Sequence, residues 1–175
     1  ERIIELLEKE YGKLEWYPDG KPLAGLVRTI LSQNTSDTNS GRAFDMLMFT
    51  FGSWETIASA PVEHIAYAIR VGGLSKIKAV RIKEILNQIK REQDCISLDF
   101  LNSMNASEAK EYLMRLPGVG EKTANCVLLF SLGKPCLPVD THIFRVAKRL
   151  GLIDARTSIK EAHRLLQQQY LKLGS

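Results

Sequence analysis

The sequence predicts an all-α fold, and three observations carry that prediction. Apolar residues recur at three- and four-residue spacing through almost the whole chain, and no segment shows the two-residue alternation of a half-buried strand. Residues that start and stop helices bracket these stretches, with Ser, Asp or Asn in front and Gly or Pro behind. No internal period or low-complexity linker divides the chain. With 175 residues, 45% hydrophobic and 25% charged, it can bury a substantial core as one domain or two small interlocked ones.

From Glu1 to Tyr11, the residues Ile3, Ile4, Leu6, Leu7 and Tyr11 form the stripe of a short amphipathic helix stopped by Gly12. A loop containing Trp16 to Gly20 leads to Pro22, a first-turn proline ahead of the apolar set Leu23, Leu26, Val27, Ile30 and Leu31. That helix runs into six polar residues, Ser32-Gln33-Asn34-Thr35-Ser36-Asp37, which taken alone read as a turn with Thr35 or Ser36 at the next N-cap. Phe44, Leu47, Met48 and Phe51 mark a helix over 37–51 ended by Gly52. Ser53 and Ser59 each cap a short helix, over 54–58 and 61–70. After Gly72-Gly73-Leu74, a helix over 76–91 carries an apolar stripe with Lys76, Lys78, Arg81, Lys83, Lys90 and Arg91 between, a pattern that a solvated face explains as well as a binding one. The last two helices start behind Asp140 and at about Ser158, and run to about Leu150 and Leu173.

Charge and cysteine usage bound the function classes. A net charge of +4 and a pI near 9.0 suit a polyanionic partner, although the excess is modest and dispersed. Cys95, Cys126 and Cys136 are far apart and odd in number, so reduced structural thiols are expected rather than a disulfide framework or a metal-binding pair. No apolar run approaches a membrane span and no signal segment opens the chain, so an intracellular protein with no membrane partner is expected. Glu1 in first place implies that an initiating residue or tag has been removed.

The most informative stretch is Leu116-Pro117-Gly118-Val119-Gly120-Glu121-Lys122-Thr123-Ala124. Asn105-Ala106-Ser107-Glu108 is a capping box for a helix over 106–115, Pro117 stops it, and helix formers resume from Glu121 to Leu132, so the segment reads helix, tight hairpin, helix. Such a hairpin exposes backbone N–H groups at a helix start, where a phosphate can sit, and Val119 at its tip can meet a sugar or groove edge. Most turns of this type are only turns. Here the hairpin is followed by Val139-Asp140-Thr141-His142-Ile143-Phe144-Arg145-Val146, and the two segments together resemble the helix-hairpin-helix DNA glycosylases of the endonuclease III type. The resemblance extends weakly back to about Leu23.

The resemblance implies a two-lobed helical fold, with a helical barrel domain over 22–131 and a second lobe built from 1–21 and 132–175. DNA would cross the groove between the lobes. It implies that the hairpin residues Leu116, Gly118, Val119, Gly120 and Thr123 grip one phosphate, that Lys122 attacks the sugar of the damaged nucleotide, and that Asp140 assists. In the same family a polar side chain at the 32–37 junction enters the duplex to replace the flipped nucleotide. Aligned through Asp37 that residue is Asn34, with Gln33 as the alternative. The Gly72 to Ala79 stretch resembles a family segment that lies along DNA, which assigns phosphate contacts to Lys76 and Lys78, while His142 packs beside or orients the Asp140 segment next to the DNA. The implied partner is duplex DNA containing damaged bases or abasic sites, bound by a monomer located with the genomic DNA. Many of these proteins hold an iron–sulfur cluster on four cysteines near the C-terminus. Nothing after Cys136 supplies them, so no cluster is expected in this chain, through either a branch that lacks it or a chain cut before it. No cofactor is required, although the resemblance allows a monovalent cation at the hairpin.

The chemistry asks for these residue types. Lysine opens a glycosidic bond only as the neutral amine, and an ammonium in the first turn of the post-hairpin helix faces the positive end of the dipole, which disfavours it. A carboxylate stabilises the oxocarbenium character that develops as the base leaves. Two other readings stay open: a non-catalytic helix-hairpin-helix module that holds DNA, and a glycosylase for another lesion, 8-oxoguanine or the adenine-removing branch. The pairing of Lys122 with Asp140 argues against the module, and Lys122 against the lysine-independent branch. Asp140 also has a plain structural explanation as an N-cap.

Overall fold

The computed structural model describes residues 2–13 and 15–173, and the expected helix start at Glu1 lies outside them, as do Leu14, Gly174 and Ser175 in the proposed second lobe. Ten α-helices follow in order: α1 (Arg2–Tyr11), α2 (Pro22–Ser32), α3 (Asp37–Phe51), α4 (Trp54–Ser59), α5 (Val62–Ala68), α6 (Ser75–Gln93), α7 (Ala106–Met114), α8 (Glu121–Phe130), α9 (Thr141–Arg149) and α10 (Ile159–Leu173). Two 3₁₀ turns, Arg70–Gly72 and Asp99–Asn102, flank α6, and no strand occurs among the described residues.

Local chemistry sets the ends. Ser36 caps α3 by accepting from the Asn39 amide, and Ser53 caps α4 through Thr56. Asn105 and Glu108 form the full capping box on α7. The helix expected over 61–70 is instead α5 plus the 3₁₀ turn, with Pro61 rather than Ser59 at its N-cap. α8 ends before Leu132 because Gly133 and Lys134 donate back to the carbonyls of Leu129 and Leu128, with Gly133 at φ +63°.

Two hydrophobic clusters organise the chain. The larger runs from Leu23 to Cys136 and contains fully buried Leu26, Ile30, Leu47, Ile65, Ile82, Leu86 and Leu113. Side chains of this kind each contribute about 1.5–3 kcal/mol on burial. α2 lies close to the end of α8, since a Cβ on Gly25 would stand 2.2 Å from Ser131 Oγ. The smaller cluster gathers Val139, Ala147, Ile153, Ala162 and Leu166 from α9, α10 and the segments before and between them. The connecting segment ties the two together: Asn125 Nδ2 donates to Leu137 O (2.9 Å), Leu137 N to Gln167 Oε1 (2.6 Å), and Gln167 Nε2 to Pro135 O (2.8 Å). Residues 15–20 lie against the end of α8, where Trp16 meets Phe130 edge-on and the Asp19 and Gly20 amides donate to the Phe130 and Ser131 carbonyls. α1 buries none of its residues.

His163 on α10 is buried with Nδ1 unpartnered, beside the Lys110–Glu121 ion pair of α7 and α8. Burial pushes its imidazole below the ordinary 6.5; Glu121 opposes the shift and Lys110 adds to it. The unfolded chain therefore takes up a proton below pH 6.5 that the folded chain resists. The stability contributed by the neutral ring is present above that pH and is lost as the pH falls below it. Thermal melts at pH 7.5 and 5.5 should show a smaller acid-induced drop for His163→Leu than for the parent.

Candidate active site and nucleic-acid interface

The α7–α8 hairpin forms as its residues dictate. The Leu116 amide donates to Leu113 O and the Val119 amide to Leu116 O, both at 3.1 Å, and Gly118 adopts φ +69°, a conformation open to glycine at no steric cost. Gly120 is the N-cap of α8 and carries no side-chain cap, so the first amides of that helix keep their capacity for an outside acceptor. The side chains behave differently from the expectation. Val119 is buried, as are Leu116 and Thr123, because the apolar ones complete the larger cluster; the exposed surface of the hairpin is Gly118 and Gly120. Val119 therefore does not present its side chain to a groove edge.

Lys122 stands half-buried in the first turn of α8, and Cys126, one turn later on the same face, is buried beneath it. Burial pushes the Cys126 thiol up; the Lys122 ammonium and a hydrogen-bonding contact with that amine oppose the shift, and the Asp140 carboxylate adds to it. Lys122 and Asp140 thus both act electrostatically on Cys126, Lys122 through a direct contact as well. Asp140 is the N-cap of α9, with Oδ1 accepting from the His142 amide at 2.9 Å and the Ile143 amide at 2.7 Å. The cap uses one carboxylate oxygen, which locks the side chain and leaves Oδ2 outside it. The structural explanation and the catalytic one are thus compatible. His142 is exposed and its Nδ1 lies 3.1 Å from Arg145 Nη2.

The 33–36 loop approaches from α2. Gln33 points inward, with Oε1 accepting from Arg81 Nη1 at 2.9 Å and Nε2 reaching Thr123 Oγ1 at 3.4 Å. Asn34 points outward at φ +53°, a left-handed conformation that asparagine tolerates better than most residues. The geometry separates the two residues that the sequence left open, since Asn34 is the exposed side chain and Gln33 the tethered one.

Lys78 requires a correction. It is 1% exposed, and its Nζ donates to Leu31 O (2.7 Å), Thr35 Oγ1 (2.8 Å) and Gly72 O (2.8 Å). Burial pushes its amine down from the ordinary range. This lysine closes the C-terminal end of α2 and cannot reach a phosphate, whereas Lys76, one face away, is exposed. Lys78→Met should leave the Leu31 carbonyl dry, at about 1–3 kcal/mol, while Gly72 O keeps the bond it accepts from Thr35 Oγ1. Urea unfolding should show a loss of that order in the free energy of unfolding.

Two site residues escaped the sequence reading. Cys126 was announced only by its spacing of four from Lys122. Arg81 carried no signal beyond its charge. Among the described residues no group of three or more His, Cys, Asp or Glu side chains could hold a metal, and with Cys95 exposed and Cys126 and Cys136 buried apart, the residues present do not fit a four-cysteine iron–sulfur cluster. No helix among them is long and apolar enough to cross a membrane.

Comparison with known proteins gives this geometry a family. The model for HhH-GPD superfamily base excision DNA repair proteins matches residues 27–170. Endonuclease III of Thermotoga maritima is 35% identical over 157 residues, covering 89% of this chain and 70% of that protein. A relative in Arabidopsis thaliana is 46% identical over 131 residues, but the match spans 45% of its length, and the match to rice ROS1A, 39% identical over 100 residues, spans 5%. Among solved structures, an endonuclease III in a non-covalent complex with DNA superposes with a TM-score of 0.77 at 26% identity, over 95% of this chain and 74% of that one. An 8-oxoguanine glycosylase/lyase of Clostridium acetobutylicum reaches 0.83 at 17% identity over 97% of this chain and 60% of that one, which shows the fold alone.

Proposed function

This chain belongs to the HhH-GPD superfamily of base excision DNA repair proteins, and on that basis we propose that it is a bifunctional DNA N-glycosylase and AP lyase acting on oxidised pyrimidines in duplex DNA. The observation that carries the reading is Lys122 in the open first turn of α8, with Asp140, fixed as the α9 N-cap, acting on the same Cys126 thiol as Lys122 does. In this mechanism the target nucleotide leaves the stack, and Asn34 fills its place. Lys122, as the neutral amine, attacks C1′ of the sugar; the C1′–N bond breaks and the base departs with a proton. Asp140 Oδ2 faces the positive charge that develops on the sugar, while Oδ1 stays in the α9 cap. The C1′–O4′ bond then opens, O4′ taking up a proton, and the resulting protonated imine between Lys122 and C1′ acidifies the C2′ proton. Loss of that proton expels the 3′ phosphate by β-elimination, nicking the strand, and water then hydrolyses the imine to free the lysine.

The backbone at Gly118 and Gly120, with exposed Lys76 on α6 and exposed His142 two residues after Asp140, supports duplex binding through phosphates. The test is a duplex with a single oxidised pyrimidine. Base release with a nick formed without added alkali is expected. Release without a nick would assign the chain to a lysine-independent branch, and neither event on any oxidised substrate would favour a module that only holds DNA. A duplex with 8-oxoguanine, run in parallel, decides the lesion class.

A further inference from the structure

Arg81 rises from the second turn of α6 into the space between the hairpin and the 33–36 loop. Its side chain crosses Gly118 so closely that a Cβ on that glycine would stand 2.0 Å from Nε and 2.5 Å from Cδ and Cζ. Its hydrogen-bond partner is the neutral amide of Gln33, and among the described residues no carboxylate pairs with it. A guanidinium stays charged and offers five donors in a fixed fork. Here it is half-buried, and it lies over the uncapped start of α8, where the dipole is also positive. Glu121 in the first turn of α8 is tied to Lys110, so the Arg81 guanidinium at the hairpin is left without a carboxylate of its own, an arrangement that an anion beside it would relieve.

We infer that Arg81 is a charged ligand of the DNA phosphate held at the hairpin, and that its bond to Gln33 fixes the distance between that phosphate and the side chain of Asn34. The inference rests on the reading of the chain as a duplex-DNA enzyme. A phosphate on the Gly118–Gly120 backbone has the Arg81 fork alongside, and the same guanidinium donates to Gln33, which reaches Thr123 on α8. Thr35, at the far end of the loop, is held separately through Lys78 and Gly72. Asn34 is therefore presented from a loop pinned on both sides, one pin being the phosphate ligand itself. Arg81 is in this account a binding residue for the backbone and a positioning residue for insertion.

The experiment measures affinity against salt for a duplex carrying a stable abasic analogue, with 2-aminopurine beside it to report unstacking. The parent should give a linear log–log dependence, and Arg81→Gln should lower the slope by about 1, the signature of one lost phosphate contact. Arg81→Lys keeps the charge, so it should retain the parental slope, but a point charge cannot serve phosphate and Gln33 together, so it should lose most of the 2-aminopurine fluorescence rise. An Arg81→Gln slope equal to the parent's would overturn the phosphate contact. Parental fluorescence in Arg81→Lys would overturn the coupling. A parent that binds duplex without salt dependence would sink the duplex-DNA reading itself and this inference with it, a result distinct from the other two.

Discussion

Replacing Lys122 by alanine is expected to slow single-turnover base release by at least about 10⁴-fold, or about 5–6 kcal/mol of barrier, because the covalent route disappears with the amine. The nick should vanish with it. The side chain is half-buried and in no ion pair among the described residues, so its removal should leave the fold intact. Parental melting with parental duplex affinity, together with the lost rate, isolates chemistry from folding and binding. A variant that releases base within tenfold of the parent would remove Lys122 from the nucleophile's role.

Asp140→Asn separates charge from structure. Asparagine caps helices as well as aspartate does, and the bonds from the His142 and Ile143 amides need only an acceptor oxygen, so stability should change by less than about 1 kcal/mol. The negative charge facing the sugar is lost, and base release should fall by about 10²–10³-fold, the range for removal of one preorganised electrostatic contact. Asp140→Ala, lacking both functions, should lose the rate and also about 1 kcal/mol of stability. Equal rates for the asparagine variant and the parent would reduce Asp140 to its cap.

The helices and the positions of the two residues proposed to react were legible because each is written locally. Apolar spacing marked the stripes of α2, α3 and α6, the Asn105 capping box marked the start of α7, and Lys122 and Asp140 sit at fixed places beside a hairpin and an N-cap. What could not be read was tertiary. Lys78 and Lys76 are two residues apart on one helix and look equivalent as letters. Only the fold shows that the Leu31 and Gly72 carbonyls converge on Lys78 while Lys76 faces outward. Arg81 gains its meaning from Gln33 and Gly118, which lie far from it in sequence. Val119 misled in the same way, since a residue at a hairpin tip reads as exposed until the cluster beneath it is seen to take its side chain.

Imine formation between Lys122 and the sugar, at a site completed by Asp140, is checked by borohydride reduction during reaction with a duplex carrying one oxidised pyrimidine. Reduction makes a lysine–sugar imine permanent. A stable protein–DNA adduct is expected, its attachment mapped by peptide mass spectrometry to Lys122, with no adduct from Lys122→Ala. An adduct on another residue, or one formed at parental yield by Lys122→Ala, would contradict it.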